Sequence, residues 1–286
     1  MYIKKFLKRN QIDLVYTNTS TLISPSIAAK FAGIPSIFHI HEIPNGNSIY
    51  SRFITVFLNV FPREITCVSK SVYDFWILKG LKKNKVKVIY NGFNIKKRKS
   101  QIIIKDKIVF TNVARIIPYK GHSILIGIFD MLCKKNKNIY LQIVGDTLPE
   151  YQKYLDKLKL YIKKRGLNNN IKFLGFRSDV FSVLEKSNFF IHTPLSPDPL
   201  PTVIFEAIKC EIPVITNNLG GACEILDEGK NGLIIKNDFI EESAVKILDY
   251  LDNKKQQKKN VKKAFNYVCE NFSQEKFKRK ILNTIG

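Results

Sequence analysis

Residues 107–145, "KIVFTNVARIIPYKGHSILIGIFDMLCKKNKNIYLQIVG", hold the reading on which the fold turns. The run 107–114 is short, apolar and β-branched, as suits a pleated, buried surface. A helix then starts at Gly121. Over 121–135, Ile124, Leu125, Ile128, Phe129 and Leu132 recur at helical spacing, and 139–145 returns to strand character. Strand, crossover helix and strand make a βαβ unit, whose two strands must run parallel.

The same alternation extends in both directions. Towards the N-terminus, strands are expected at 13–17, 36–41, 64–69 and 85–90, with helical segments near 20–32, 49–60 and 70–80. Towards the C-terminus they are expected at 170–175, 188–193, 213–216 and 231–236, with a helix at 150–165. "YNGFN" (90–94) supplies a turn, and the basic "IKKRKSQ" (95–101) reads as a linker. The fold class is therefore α/β, with two parallel sheets covered by helices. A chain of 286 residues can bury two such cores.

Composition narrows the function. The chain carries 47 Lys and Arg against 24 Asp and Glu, a formal charge of +23, in scattered runs such as "LKKNK" and "KKQQKKNVKK". Such a surface favours anionic partners: phosphorylated substrates, acidic lipid or nucleic acid. The aromatics, among them Phe189, Phe190 and Phe205, fall within apolar strands and helices and read as core, so no specific nucleic acid is expected. Five cysteines with no C-x-x-C pair argue against a disulfide framework or zinc site and for a reducing, cytoplasmic compartment. Peripheral attachment to the inner face of the cytoplasmic membrane is compatible with the basic surface. "SRFITVFLNVFPRE" (51–64) is read as a buried helix of the first domain, over the alternative of a membrane-interface helix.

Three segments can carry chemistry. Arg115 follows a strand and Lys120 precedes Gly121 where a helix starts, so two cations meet free helix N–H groups, a site for a diphosphate. In "SPDPLPTVIFEA" (196–207) the prolines fix the backbone and a helix starts near Pro201 or Thr202. Glu206 lies in its first or second turn, where it either accepts hydrogen bonds from ligand hydroxyls, as on a ribose, or stabilises the helix N-terminus. Gly220 and Gly221, followed by Glu224, allow close approach of backbone to a ligand or form a plain loop.

In combination, "VARIIPYKG", "LQIVGD", "IKFLGFRSDV", "DPLPTVIFEAIKCEIPVIT" and "GGACEILDEGKNGLII" succeed one another as in a known family. The chain resembles the family-four retaining glycosyltransferases of the GT-B fold, and the likeness continues through "DLVYTNTS", "AGIPSIFHIHE", "VSKS" and "VIYNGFN". The resemblance implies two Rossmann-like domains. Residues 1–95 are expected to form a partial, acceptor-side N-terminal domain, 96–270 the donor-binding domain, and 271–286 a C-terminal helix packing back on the N-terminal domain. No glycine-rich turn precedes the linker, so the N-terminal domain is expected to be incomplete, with a partner chain a candidate to complete it.

The resemblance also implies roles. Arg115 and Lys120 would hold the diphosphate of a UDP- or GDP-linked sugar, Phe176 and Arg177 would sit by the base, and Glu206 would bind the ribose. Asp198 takes the place of the family's first acid of an E-x7-E motif, which contacts the donor sugar, with Leu200, Pro201 and Thr202 completing that loop. His41 is the nearest match to a His that approaches the reacting centre, with His39 and Glu42 as alternatives. The family is metal-independent, and no clustered Asp-x-Asp asks for a metal; the nucleotide sugar is co-substrate and no cofactor is expected. The implied reaction is transfer to a glycan or lipid-linked acceptor with retention. A nonhydrolysing nucleotide-sugar epimerase, a donor-binding subunit and a basic membrane or nucleic-acid module are the competing readings.

Overall fold

Parallel strands need long crossovers, and the alternation of strands and helices supplies one between each successive pair. The computed structural model describes residues 2–44, 49–98 and 107–286; residues 99–101 of the expected linker lie outside the described residues. The chain divides into two units. The first comprises Met1–Asn94, Pro197–Leu200 and Glu270–Gly286, and the second Ile95–Ser196 and Pro201–Cys269.

In the first unit, α1 (Tyr2–Arg9) leads to β1 (Val15–Thr17), α2 (Ser24–Ala32), β2 (Ser36–Ile40), α3 (Ile49–Val60), β3 (Glu64–Cys67), α4 (Lys70–Leu78) and β4 (Val86–Val88). The four strands are parallel in the order β1-β2-β3-β4. Every residue of β2 is buried, as expected of a strand covered on both faces. Phe38, Ile40, Ile54, Leu58, Val72 and Trp76 form the centre of its core. Pro25 sits at the start of α2 and Gly33 ends it at φ 76°, the left-handed conformation a glycine adopts without penalty.

Helix α3 departs from the buried helix expected for 51–64. It buries Ile54, Phe57 and Leu58 and leaves Ile49, Phe53, Val56 and Val60 exposed. A run broken only by Thr55 and Asn59 from Phe53 to Phe61 leaves little 3.6-residue contrast, so the sequence does not mark which face is covered.

The second unit contains β5 (Ile108–Val113), α5 (His122–Lys135), β6 (Ile139–Val144), α6 (Gln152–Lys164), β7 (Ile171–Gly175), α7 (Val180–Leu184) and β8 (Phe189–His192). It continues through α8 (Thr202–Lys209), β9 (Val214–Asn217), α9 (Ala222–Ile225), β10 (Leu233–Ile235), α10 (Ile240–Asp252) and α11 (Lys254–Asn271). The last helix, α12 (Gln274–Ile285), starts at Ser273, whose side chain caps the N–H of Lys276, and belongs to the first unit. The six strands run parallel in the order β10-β9-β8-β5-β6-β7, the doubly wound arrangement. Phe110, Phe129 and Phe189 pack at its centre, with Phe110 stacked on Phe189 at 4.9 Å. All five cysteines are free thiols.

Candidate functional site

The strand order of the second unit reverses between β5 and β8, the position at which doubly wound sheets bind ligands beyond the carboxyl ends of their strands. The loop after β5 carries Arg115 and ends in a 3₁₀ turn, Pro118–Lys120, before α5. The loop after β8 leads to α8. Backbone contacts join the two loops: the Leu195 N–H donates to the Tyr119 carbonyl at 2.8 Å. Gly121, at φ 76°, lies so close that an added Cβ would stand 1.8 Å from the Thr193 carbonyl oxygen. From the far side, the side-chain amides of Asn217 and Asn237 both donate to the Pro194 carbonyl, at 2.5 and 2.6 Å.

Beside Arg115 lies a cavity of about 430 Å³, lined among others by Gly145, Thr147, Phe176, Arg177 and Val203. The Ala114 N–H donates to Val144 (3.0 Å), that of Ile116 to Asp146 (2.8 Å) and that of Gly145 to Gly175 (2.8 Å), so three strand-end loops advance in step. Gly145, at φ 134°, permits this approach: a Cβ there would meet the Ala114 carbonyl at 2.0 Å. Phe176 is 77% exposed, its ring available to a planar ligand. Arg177 is paired with Asp179 at 2.6 Å, which fixes its guanidinium at the rim.

Helix α8 starts after Pro201, with no side chain capping its first N–H groups, so its N-terminus is open to an anion. Thr202 stands exposed at that end and Pro201 is buried. Glu206 falls in the second turn, and α8 has no acid in its first. The helix-terminus effect fades within one turn, which removes that role for Glu206. The carboxylate is half-buried, and among the described residues none hydrogen-bonds to it. Burial raises its pKa above the ordinary glutamate value, partly opposed by Lys209. A half-buried acid without a hydrogen-bond donor is the group that ligand hydroxyls would satisfy.

The first unit holds His41, just past β2. The His41 ring lies 4.6 Å from that of His39, and its Nε2 meets Asn18 Oδ1 at 2.8 Å. Because an amide oxygen only accepts, Nε2 carries the proton, and Nδ1 is left as acceptor in the neutral ring. Burial lowers the His41 pKa, which favours that neutral form. The two alternatives are otherwise engaged. His39 is wholly buried, with Nδ1 against Tyr16 Oη (2.8 Å) and Thr66 Oγ1 (3.0 Å), and burial pushes its pKa down to about 3. The Glu42 carboxylate accepts from Thr19 Oγ1 (2.5 Å), Ser20 N (2.9 Å) and His41 N (3.2 Å), pinning the loop after β1.

The structure thus brings Arg115, Lys120, Phe176, Arg177, Pro201, Thr202 and Glu206 into the second unit, whereas His41, Asp198 and Leu200 belong to the first. Sequence reasoning did not single out Gly145, Thr147 or Asn18. The glycines that close β6 and β7, in "IVGD" and "FLGF", were the available signal, since both adopt positive φ where loops converge. No group of three or more His, Cys, Asp or Glu that could hold a metal occurs among the described residues.

Residues 93–267 match the family described as "Glycosyl transferases group 1". The chain belongs to that family. Residues 1–97 match a second description, "Glycosyltransferase Family 4". The family's GT-B fold is shared with HepE of Anabaena in complex with UDP, at a TM-score of 0.89 and 26% identity, covering 99% of this chain and 81% of that one. An uncharacterized glycosyltransferase of Methanocaldococcus jannaschii is 27% identical over 265 residues, covering 89% of this chain and 70% of its own length. The Escherichia coli UDP-Gal:alpha-D-GlcNAc-diphosphoundecaprenol alpha-1,3-galactosyltransferase is 28% identical over 260 residues, 82% of this chain and 63% of its own. Two further M. jannaschii relatives are spanned over only 34% and 55% of their lengths.

Proposed function

We propose that this family member transfers a sugar from a nucleotide-sugar donor to a glycan or lipid-linked acceptor, with retention of configuration. The observation that carries the reading is the half-buried Glu206, whose carboxylate accepts no hydrogen bond among the described residues, on the open-ended helix α8 in the same unit as the cavity lined by Arg115, Phe176 and Arg177. The base stacks in that cavity against Phe176 with Arg177 at its rim, and Glu206 accepts from the ribose hydroxyls. Transfer leaves negative charge on the departing diphosphate, which Arg115, Lys120 and the N–H groups at the start of α8 stabilise electrostatically. In this scheme those groups supply the positive charge without a metal.

Asp198 contacts the donor sugar, helped by the backbone at Leu200, Pro201 and Thr202. Its side chain is one C–C bond, about 1.5 Å, shorter than the glutamate usual there, so donor selectivity is set partly by this loop. His41, neutral and held by Asn18, orients the sugar at the reacting centre. A UDP-linked donor is favoured over GDP, because HepE, at 26–27% identity, binds UDP, UDP with glucose, and UDP-glucose. The galactosyltransferase relative, whose name specifies a diphosphoundecaprenol-linked acceptor, favours a lipid-linked one. A nucleotide donor implies action on the cytoplasmic side.

The test is product analysis. Incubation with UDP-glucose or UDP-galactose and undecaprenyl-diphosphate-linked sugars is expected to yield an α-linked glycoside, identified by the anomeric proton coupling in NMR. A β-linked product overturns retention, and conversion of the donor sugar with no glycoside formed points to an epimerase instead.

A further inference from the structure

The outer face of α3 is not explained by the donor site. Ile49, Phe53, Val56 and Val60 follow each other at spacings of four, three and four residues, which places them on one narrow stripe of the helix. They are 86%, 57%, 65% and 48% exposed, while the opposite face of the same helix is anchored in the core through Ile54, Phe57 and Leu58. The stripe is therefore rigidly presented, and a solvated surface helix has no reason to be apolar on both faces.

Charge indicates what covers it. No acid occurs between Ile49 and Arg63, and Arg52 is exposed beside the stripe. At the C-terminal end of α3, Lys30 Nζ donates to the Val60 carbonyl (2.8 Å), and Lys85 Nζ donates to those of Asn59 (2.8 Å) and Pro62 (3.1 Å). Burial, Lys30 and Lys82 together lower the Lys85 pKa, so these cations are crowded enough to repel one another. Capping of helix carbonyls accounts for one or two cations here, not for a cluster with Arg52 at the other end. Bulky apolar side chains within a cationic collar match the chemistry of an anionic bilayer: rings and branched chains enter the headgroup boundary while the cations meet lipid phosphates. No described helix is long and apolar enough to cross a membrane, so the contact is interfacial.

We propose that the outer stripe of α3, with its collar of Arg52, Lys30, Lys82 and Lys85, docks the chain on an anionic lipid surface. The proposal goes beyond the donor-site reading and stands or falls separately from it. The experiment is co-sedimentation of the full chain with vesicles of phosphatidylcholine alone or of an equimolar mixture with phosphatidylglycerol. The wild-type chain is expected to pellet with the mixed vesicles and to remain soluble with the neutral ones. The double variant Phe53→Gln, Val56→Gln, which changes only exposed positions, is expected to lose about tenfold or more in vesicle affinity. Arg52→Gln with Lys82→Gln is expected to lose about tenfold. UDP titration of the same variants checks that the fold is kept, and its failure in the wild type would count against the donor site alone. Equal pelleting with both vesicle types, no pelleting, or an unaltered Phe53→Gln, Val56→Gln variant overturns the proposal. So does a lipid-free dimer that this variant converts to monomer, which would assign the stripe to a second copy of the chain.

Discussion

The two units are built from the same parts and end differently. In the second, β5 lies inside a six-stranded sheet whose order reverses beside it, and the loops after β5, β6 and β7, with Val203 of α8, line the cavity at Arg115. In the first, the four described strands follow in simple sequence, and several large apolar side chains remain in solvent, among them Tyr2, Phe31, Phe53 and Val56. On the proposed reading, the second unit uses its topology to hold an anionic small molecule. The first carries the polar cluster around His41, the exposed apolar stripe of α3 and the cations at its ends.

This difference is open to test. Gly145→Ala places a Cβ 2.0 Å from the Ala114 carbonyl at a φ that non-glycine residues avoid, and should destabilise the second unit by about 3 kcal/mol in thermal or denaturant unfolding. The same exchange at Gly33, where a Cβ meets nothing within 4 Å, should cost the first unit only about 1 kcal/mol. Arg115→Ala should weaken UDP binding by roughly 2 kcal/mol, about thirtyfold, in calorimetry. His41→Ala should leave UDP affinity within about twofold and lower the transfer rate about a hundredfold, which separates the roles of the units.

Acid should expose a smaller contrast. Burial holds His39 down to about 3 and His122 down to about 4, against an ordinary value of 6.5. Below 6.5 the unfolded chain takes up protons that the folded chain does not, so stability rises with pH through this window and is fully present only above it. The loss is about 1.4 kcal/mol per pH unit for each histidine until its folded pKa is reached. Unfolding midpoints at pH 7 and pH 5 should converge for His39→Asn in the first unit and for His122→Asn in the second. The smallest effect is expected from Asp198→Glu, which restores the longer acid: a shift of about 1 kcal/mol or less between UDP-glucose and UDP-galactose affinities.

Much of the second unit was readable because its signals are local. The apolar run at 107–114 and the helical spacing from Ile124 to Leu132 set β5 and α5 to within a residue of 107–114 and 121–135. The cations Arg115 and Lys120 then followed from their place after a strand. Glu206 was ambiguous, since capping and ligand binding are distinguished by which turn it occupies, and that depends on the start of α8 after Pro201. In the first unit the decisive facts are tertiary. Only the packed structure shows that His39 is engaged with Tyr16 and Thr66, that Glu42 is spent on the Thr19–Ser20 loop, and that α3 has a second face.

Calorimetric titration with UDP-glucose tests Glu206 as a ligand for the donor most directly. We predict saturable binding to the wild-type chain, at least tenfold weaker in Glu206→Ala, and weakening on mild acidification because burial raises the pKa of this carboxylate. Absence of binding to UDP- and GDP-linked sugars alike, or affinity unchanged by Glu206→Ala, would contradict it.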